Sequence, residues 1–245
     1  MASPIVPGPA GPRPAAGSPR LSIIIPVLDE ALLVERSLAA LAALRDRGAE
    51  IIVVDGGSRD GTAELAKASG LADVVLCAGR GRAVQMNAGA ARARGEALLF
   101  LHVDTQVPAD AGDAIAAALA GAGRWGRFDV RIDGRHWLLP VVARAMNLRS
   151  RLTGIATGDQ GVFVTRKLFA ACGGFPELPL MEDIALSRIL KKHAAPVCLR
   201  ETVTTSGRRW ERHGVLATIV LMWCLRLAYF FGVSPQTLAR SYARP

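Results

Sequence analysis

The sequence predicts an α/β fold in which helices flank a Rossmann-like, mostly parallel sheet. The chain has 245 residues, 51% of them hydrophobic, which is enough for one sizeable core in a single domain. Short apolar runs rich in β-branched residues alternate with stretches whose leucines recur at helical spacing. Strands and helices that alternate at this interval form βαβ units, and such units build parallel sheets.

The apolar runs in the first hundred residues are short enough to be buried strands. They predict strands at 21–27, 51–54, 74–76 and 97–101, joined by helices that end near 48, 69 and 94. The second half is less regular. It predicts strands at 128–132 and 161–164, an apolar helix around 137–148 and another helix that opens at 181.

The two ends of the chain differ in composition from this domain. Residues 1–20 hold six of the 14 prolines and no continuous apolar stretch, which predicts a disordered Pro/Gly/Ala-rich tail, no signal peptide and a cytoplasmic protein. Residues 21–213 form the predicted domain. Residues 214–245 form a predicted apolar C-terminal helical segment.

The sequence is compatible with more than one location for the apolar C-terminal segment. Residues 215–233 contain a single charge, Arg226, and a bilayer-spanning helix needs roughly 20 apolar residues, so this stretch is borderline. Arg208, Arg209 and Arg212 precede it, as they do in helices that lie on an anionic membrane surface. The alternatives are a buried core helix, an oligomer contact, or peripheral contact with the inner face of the membrane.

The net charge, the aromatic content and the cysteines limit the classes of function that fit this sequence. The formal charge of +9, from 30 Lys and Arg against 21 Asp and Glu, favours a phosphate-bearing partner. Aromatic residues make up only 5% of the chain, which argues against nucleic-acid binding because that function interleaves aromatics with basic residues. The four cysteines are widely separated, so neither a zinc site nor a disulfide framework is expected.

Acidic residues follow several predicted strands, at the edge of a parallel sheet where ligands bind. Asp104, with His102 two residues before it, can hold a divalent cation against a diphosphate; otherwise Asp104 caps the next helix. Asp55 can accept a hydrogen bond from a base or ribose, or it can serve the turn that follows it. Glu182 and Asp183 are either favourable first-turn acids of a helix or include a general base.

Six segments in order distinguish between these interpretations. They read IIIPVLDE, IIVVDGGSRDGT, GRGRAVQMNAG, FLHVDT, GDQGVF and MEDI. Together they closely resemble family 2 glycosyltransferases with the GT-A fold, and the resemblance covers about residues 21–213. Short bacterial members share the FLHxDT and GDQG variants, and some are thought to act on small molecules, as in arsenosugar formation.

The resemblance implies roles for individual residues. Asp183 is the expected catalytic base, with Glu182 beside it, and Asp159 and Gln160 are expected beside the acceptor. Asp104 is the expected ligand of Mn²⁺ or Mg²⁺. The residues expected to bind the nucleotide sugar are Pro26, Leu28, Glu30, Asp55, Gly57, Arg82, His102, Asp104, Arg209 and Trp210.

Two positions depart from the family pattern. His102 replaces the first Asp of the D-x-D motif, and a nitrogen ligand would favour Mn²⁺ over Mg²⁺ if His102 touches the ion. Gly56 stands where many members have a second acid, which removes one ribose contact.

The expected function is therefore an inverting, metal-assisted transfer of a sugar from a UDP-linked donor to a hydroxyl, with a small-molecule acceptor indicated. One alternative is a nucleotidyltransferase, which needs a glycine-rich basic loop after the first strand, whereas residues 26–30 are acidic. The other is a non-catalytic protein that binds nucleic acid or membrane through its basic charge.

Overall fold

The computed structural model describes residues 20–242, which form one α/β unit. The predicted tail therefore lies, except for Arg20, outside the described residues. The strands are β1 (Leu21–Val27), β2 (Glu50–Asp55), β3 (Val74–Cys77), β4 (Ala97–Phe100), β5 (Thr105–Gln106), β6 (Trp125–Asp133), β7 (Val162–Thr165) and β8 (Val197–Ser206). The helices are α1 (Ala31–Ala40), α2 (Ala42–Asp46), α3 (Thr62–Ala68), α4 (Arg82–Arg92), α5 (Ala111–Ala120), α6 (Leu139–Thr153), α7 (Arg166–Ala171), α8 (Glu182–Leu190), α9 (Arg208–His213), α10 (Val215–Phe230) and α11 (Pro235–Tyr242). Within residues 20–242, one 3-10 turn spans Gly158–Gln160.

All eight strands belong to one sheet in the order β3-β2-β1-β4-β7-β6-β8-β5. The first four strands of that order are parallel, as βαβ units require. β7 then runs antiparallel to both β4 and β6, whereas β6 and β8 are parallel over most of their length. The carboxyl ends of β1 and β4 therefore lie together at one edge, where polar residues follow them.

The two faces of the sheet bury separate hydrophobic clusters. One face packs against α1, α2, α5 and α6, with Ile23, Leu38 and Phe128 fully buried. The other packs against α4, α7 and α8, with Ile24, Leu98 and Trp125 fully buried. Alternate residues of β1 thus serve opposite faces, because successive side chains of a strand point to opposite sides.

The C-terminal helices α10 and α11 fold back onto the start of α8. Leu225 of α10 and Leu238 of α11 are buried with Met181 and Ile184 in a third, smaller cluster. α10 is 16 residues long, and no helix within residues 20–242 has the length and apolar character to cross a bilayer. The predicted C-terminal apolar helix is confirmed.

The strands and helices predicted in the first hundred residues are all present, with ends that differ by a few residues. The structure adds α5, β5, α7, β8 and α9, for which the sequence pattern gave no prediction. β8 occupies an interior position of the sheet between β6 and β5, so the second half contributes more to the sheet than its pattern indicated.

Candidate active site

An open cleft of about 610 Å³ lies at the carboxyl ends of β1 and β4. The end of β1, the start of α4, the loop after β4, the 3-10 turn, the start of α8 and the C-terminal helices all contribute to its walls. The predicted site residues that line it are Pro26, Leu28, Glu30, Arg82, His102, Asp104, Asp159, Glu182, Asp183, Arg209 and Trp210. Asp55, Gly57 and Gln160 do not line it.

The loop after β1 is held by the loop after β2. Asp29 adopts left-handed backbone geometry with a φ of 53°, and its carboxylate accepts a hydrogen bond from the backbone N–H of Arg59 at 2.8 Å. The N–H groups of Glu30 and Ala31 donate to Thr62 Oγ1 and Asp60 Oδ2 at 2.8 and 2.9 Å. These bonds satisfy donors at the start of α1 and fix Glu30 at the cleft wall.

The Asp55 carboxylate stabilises the turn that follows β2. It is 2% exposed, and its carboxylate accepts hydrogen bonds from the N–H groups of Gly57 and Ser58 at 2.9 Å and from the Ser58 hydroxyl. The turn interpretation of Asp55 therefore has direct support, while its contact with a nucleotide base stays a prediction.

Gln85 explains why position 56 is a glycine. Its amide donates to the carbonyl oxygens of Val27 and Val54, both at 2.8 Å, and so ties together the ends of β1 and β2. A Cβ placed at Gly56 would lie 3.0 Å from the Gln85 amide, so a larger residue there would require this amide to shift. The sequence pattern included Gln85 in a motif without assigning it a role.

The 3-10 turn connects His102 to Asp183. His102 Nδ1 lies 3.3 Å from Asp159 Oδ1, and a Cβ at Gly158 would lie 2.5 Å from the imidazole ring. The Gly158 N–H donates to Asp183 Oδ2 at 2.9 Å, and the Ile184 N–H donates to Asp183 Oδ1 at 2.7 Å. Both carboxylate oxygens of Asp183 are thus oriented by backbone groups.

Gln160 faces the interior of the same turn. It is fully buried, and its side-chain oxygen accepts a hydrogen bond from the Thr157 N–H at 3.2 Å in a capping box. Its amide nitrogen lies 3.4 Å from Asn147 Oδ1. In this geometry Gln160 stabilises the turn from its buried side. Of the two predicted acceptor residues, only Asp159 lines the cleft.

The acidic groups of the cleft respond differently to their surroundings. Burial and the neighbouring negative charge of Asp183 raise the pKa of Glu182, against the opposing effect of Arg82. Burial also acts to raise the pKa of Asp159, but the hydrogen bond and charge of His102, with help from Arg82, outweigh burial and lower it. The cleft therefore combines an ionised carboxylate at Asp159 with one at Glu182 that takes up a proton more easily.

Asp104, the predicted metal ligand, lies in the wall of the cleft next to an arginine. The Asp104 side chain is 29% exposed, and Arg208 Nη2 lies 3.7 Å from Asp104 Oδ2 and 4.0 Å from Glu30 Oε2. No cluster of three or more His, Cys, Asp or Glu within residues 20–242 could hold a metal alone. Mg²⁺ fits this donor set, because it keeps several waters and binds through one or two carboxylates plus phosphates.

His102 fits a metal less directly than Asp104 does. One imidazole nitrogen faces Asp159, and the ring packs against the backbone of Gly158. Ligation by His102 consequently stays a prediction.

The C-terminal helices supply cleft residues that were not among the predicted site residues. Arg226 of α10 and Tyr242 of α11 line the cleft, and the Arg209 guanidinium lies 3.7 Å from the centre of the Tyr242 ring. Arg226 was the single charge in the apolar run of residues 215–233, and a charge at such a position is itself a signal of function.

The sheet topology, together with the cleft at the carboxyl ends of β1 and β4, defines a GT-A fold. A model of glycosyl transferase family 2 matches residues 22–160, and the chain therefore belongs to this family of glycosyltransferases. No curated protein sequence matches the chain.

Solved structures with a similar fold include a mannosyltransferase and a glucosyl-3-phosphoglycerate synthase. The mannosyltransferase PcManGT from Pyrobaculum calidifontis, solved with GDP-Man and Mn²⁺, has a TM-score of 0.59 and 22% identity, and the match covers 80% of this chain and 59% of that chain. S. aureus TarS with UDP-GlcNAc has a TM-score of 0.62, 20% identity and coverages of 76% and 58%. Glucosyl-3-phosphoglycerate synthase from Mycobacterium tuberculosis, solved with Mn²⁺ and UDP, has a TM-score of 0.56, 20% identity and coverages of 75% and 70%.

The chain thus spans about three fifths of the length of PcManGT and of TarS. At these identities the matches establish the fold, and they agree with the α/β architecture expected from the sequence.

Proposed function

We propose that this family 2 glycosyltransferase moves a sugar from a UDP-linked donor to a hydroxyl acceptor with inversion at the anomeric carbon. The observation that carries the proposal is the orientation of Asp183. Two backbone N–H groups, of Gly158 and Ile184, hold its carboxylate in the wall of the cleft that also contains Asp104. A fixed carboxylate facing a cleft that can accept a diphosphate is the arrangement that an acceptor-activating base requires.

In this mechanism Asp183 removes the proton of the acceptor hydroxyl, which attacks the anomeric carbon on the side opposite the diphosphate. Asp104, with His102 as the second predicted ligand, would hold Mn²⁺ or Mg²⁺, and the bound ion would supply positive charge for the departing diphosphate. Arg209 and Trp210 lie in the same cleft, where the Arg209 guanidinium adds a fixed positive charge.

The UDP moiety is proposed to occupy the β1 and α4 side of the cleft. Pro26, Leu28, Glu30 and Arg82 line that side. Desolvation opposes the charge on Arg82, but the carboxylates of Glu182 and Asp159 raise its pKa, so it remains a cation available to the donor. Solved relatives bound to UDP and Mn²⁺ or Mg²⁺ support a donor of this chemical class and a divalent cofactor.

Replacement of Asp183 by Asn tests the assignment of the base. We expect turnover to fall by about 10²–10⁴-fold, because the amide cannot accept the acceptor's proton, while UDP binding is retained. Asp113→Asn is the matched control, since that side chain is 82% exposed on α5, away from the cleft. Near-normal turnover by Asp183→Asn would contradict the mechanism.

A thermal-shift panel of nucleotide sugars, each with and without Mn²⁺, tests the donor class. A ligand that binds only the native state raises the apparent stability, and we expect the largest rise for UDP-linked sugars with metal. Release of pyrophosphate from a sugar phosphate and a nucleoside triphosphate would support a nucleotidyltransferase instead. Salt-sensitive DNA binding without any nucleotide-sugar response would support a non-catalytic function.

The outer face of α10 is proposed to contact an anionic membrane surface, at the inner face of the membrane. Its exposed apolar side chains recur at helical spacing, and Arg208 and Arg212 lie exposed just before it. These arginines and the net charge of +9 favour a negatively charged bilayer as the occupant. The exposed apolar residues of this face are Leu216, Val220, Trp223, Leu227 and Phe230, and the exposed Phe231 follows the helix directly.

A further inference from the structure

The chain turns back after α10 and forms α11, whose start is specified by the local sequence. Gly232 has left-handed backbone geometry with a φ of 87°, which allows the chain to reverse after α10. Ser234 caps α11, because its Oγ accepts a hydrogen bond from the Thr237 N–H at 3.3 Å. Pro235 occupies the first helical position, where no N–H is needed. These residues therefore fix where α11 begins.

Leu238 fixes α11 next to the predicted base. It is 4% exposed and packs with Leu225, Met181 and Ile184 in the third cluster. Met181 and Ile184 flank the pair of acids that includes Asp183. The position of α11 is therefore set by packing against the residues on either side of the predicted base.

The same face of α11 brings Tyr242 to the cleft. Leu238 and Tyr242 are four residues apart, so their side chains lie on one side of the helix. Tyr242 lines the cleft, and the Arg209 Cζ atom lies 3.7 Å from the centre of its ring. At this distance the guanidinium makes a cation–π contact with the ring. The last described residue of the chain thus contacts an arginine that is predicted to bind the nucleotide sugar.

The Tyr242 ring orients the Arg209 guanidinium without cancelling its charge. Burial raises the pKa of the Tyr242 phenol, against the opposing charge of Arg209, so the ring is uncharged at neutral pH. Arg209 takes part in none of the ion pairs found within residues 20–242. The adjacent Arg208, in contrast, faces the carboxylates of Asp104 and Glu30. Arg209 therefore keeps its positive charge for an anion in the cleft.

From this geometry we infer that Tyr242 is a positioning residue, whose ring holds the Arg209 guanidinium toward the diphosphate of the bound donor. The inference rests on the proposed function, which places that diphosphate in this cleft. A guanidinium that is already held in one orientation loses less conformational freedom when it binds a phosphate, so the ring strengthens donor binding. It makes α11 part of the donor site, although the family model matches only residues 22–160.

Binding of UDP and of uridine to the full chain, measured by titration calorimetry at constant Mg²⁺, tests the inference. We expect Tyr242→Leu to weaken UDP binding about fivefold, because it removes the cation–π contact that orients Arg209. Uridine lacks the diphosphate, so it should bind this variant and the wild type equally. Tyr242→Phe keeps an aromatic ring and should bind UDP within about twofold of the wild type.

Tyr229→Leu is the matched control. Tyr229 also packs against the third cluster, and the Arg188 guanidinium lies 5.1 Å from the centre of its ring, but Tyr229 does not line the cleft. This variant should bind UDP as the wild type does. Melting temperatures show that each variant is folded.

A double-mutant cycle shows whether Tyr242 acts through Arg209. Arg209→Met should itself weaken UDP binding, because it removes the charge that faces the diphosphate. In the Arg209→Met background, Tyr242→Leu should have no further effect, because the ring then has no guanidinium to orient.

The outcomes separate the two proposals. The inference is wrong, and the proposed function stands, if the wild type binds UDP but Tyr242→Leu or Arg209→Met binds it equally well. Weakening of uridine binding as large as that of UDP binding, or an equal effect of Tyr242→Leu in both backgrounds, also contradicts the inference. If the wild type binds neither UDP nor UDP-linked sugars, the proposed function itself fails.

Discussion

Gly158 is the residue at which the polar groups of the cleft meet. Its N–H orients the Asp183 carboxylate, and its Cα packs against the imidazole of His102. The next residue, Asp159, faces His102 Nδ1. A side chain at position 158 has no room, because its Cβ would lie 2.5 Å from the imidazole ring. Gly158 thus sets the distance between Asp183, the predicted base, and His102, which replaces the first Asp of the D-x-D motif.

Gly158→Ala should therefore lower turnover strongly, although the substitution adds only one methyl group. We expect a fall in turnover of about 10²-fold, because displacement of reacting groups by about 1 Å costs that much. Gly112→Ala is the control, since its Cβ would meet only Leu44 at an ordinary 3.6 Å. Steady-state kinetics and melting temperatures of both variants provide the measurement. Wild-type turnover by Gly158→Ala would show that the position of His102 does not matter.

Several residues of the cleft could be predicted from the sequence because they follow a strand or open a helix. Asp104 and Glu30 come directly after buried strands, and they line the cleft as expected. Arg226 and Tyr242 could not be placed, because tertiary packing of the last two helices brings them to the cleft. The lone charge of Arg226 in an apolar run was a local signal, but its direction depends on which face of α10 is buried.

At the scale of the secondary-structure elements, Glu50 joins several parts of the sheet. It lies at the start of β2, fully buried, and its carboxylate accepts hydrogen bonds from Ser22 Oγ at 2.6 Å, from Arg94 N at 2.8 Å and from Arg94 Nε at 2.7 Å. β1, β2 and the loop after α4 are thereby connected. Burial acts to raise the pKa of Glu50, but the bonds from Arg94 and Ser22 outweigh burial and lower it.

Glu50→Gln should destabilise the protein in a pH-dependent manner. Because the folded pKa is lowered, the stabilisation is complete above the unfolded pKa of about 4.3 and is lost as the pH falls through the folded value. We expect a loss of about 2 kcal/mol at pH 7 that shrinks at acid pH, measured by urea unfolding. Glu35→Gln, at an exposed position of α1, should have little effect. A loss that is equal at both pH values would contradict the ionic role of Glu50.

The sequence predicts the first half of the sheet more fully than the second for a physical reason. β1, β2 and β4 are buried on both faces, so each is a continuous apolar run that stands out from its surroundings. β8 contains exposed and polar residues, and its partner β6 lies some 70 residues earlier in the chain. Its place in the sheet depends on long-range pairing, which local patterns do not encode. α5 is rich in alanine and lacks a strong apolar stripe.

At the scale of the whole molecule, the C-terminal helices have two different faces. Their inner face supplies Leu225, Arg226 and Tyr242 to the third cluster and the cleft. The outer face of α10 leaves large side chains in solvent, with Trp223 and Phe230 each 69% exposed. A contiguous exposed apolar surface indicates a binding partner. One pair of helices would therefore close the cleft on one side and contact the membrane on the other.

This arrangement predicts binding to anionic vesicles through α10. Wild-type protein should sediment with phosphatidylglycerol vesicles more than with phosphatidylcholine vesicles, and added salt should weaken the binding because it screens the arginines. A Trp223→Glu, Leu227→Glu double variant should lose the binding, since two charges on the apolar face oppose burial in the bilayer interface. Leu32→Glu, at a residue 96% exposed on α1, should bind as the wild type does. If vesicles do not bind and the double variant instead converts a dimer to a monomer, α10 contacts a second copy of the chain and the membrane proposal is wrong.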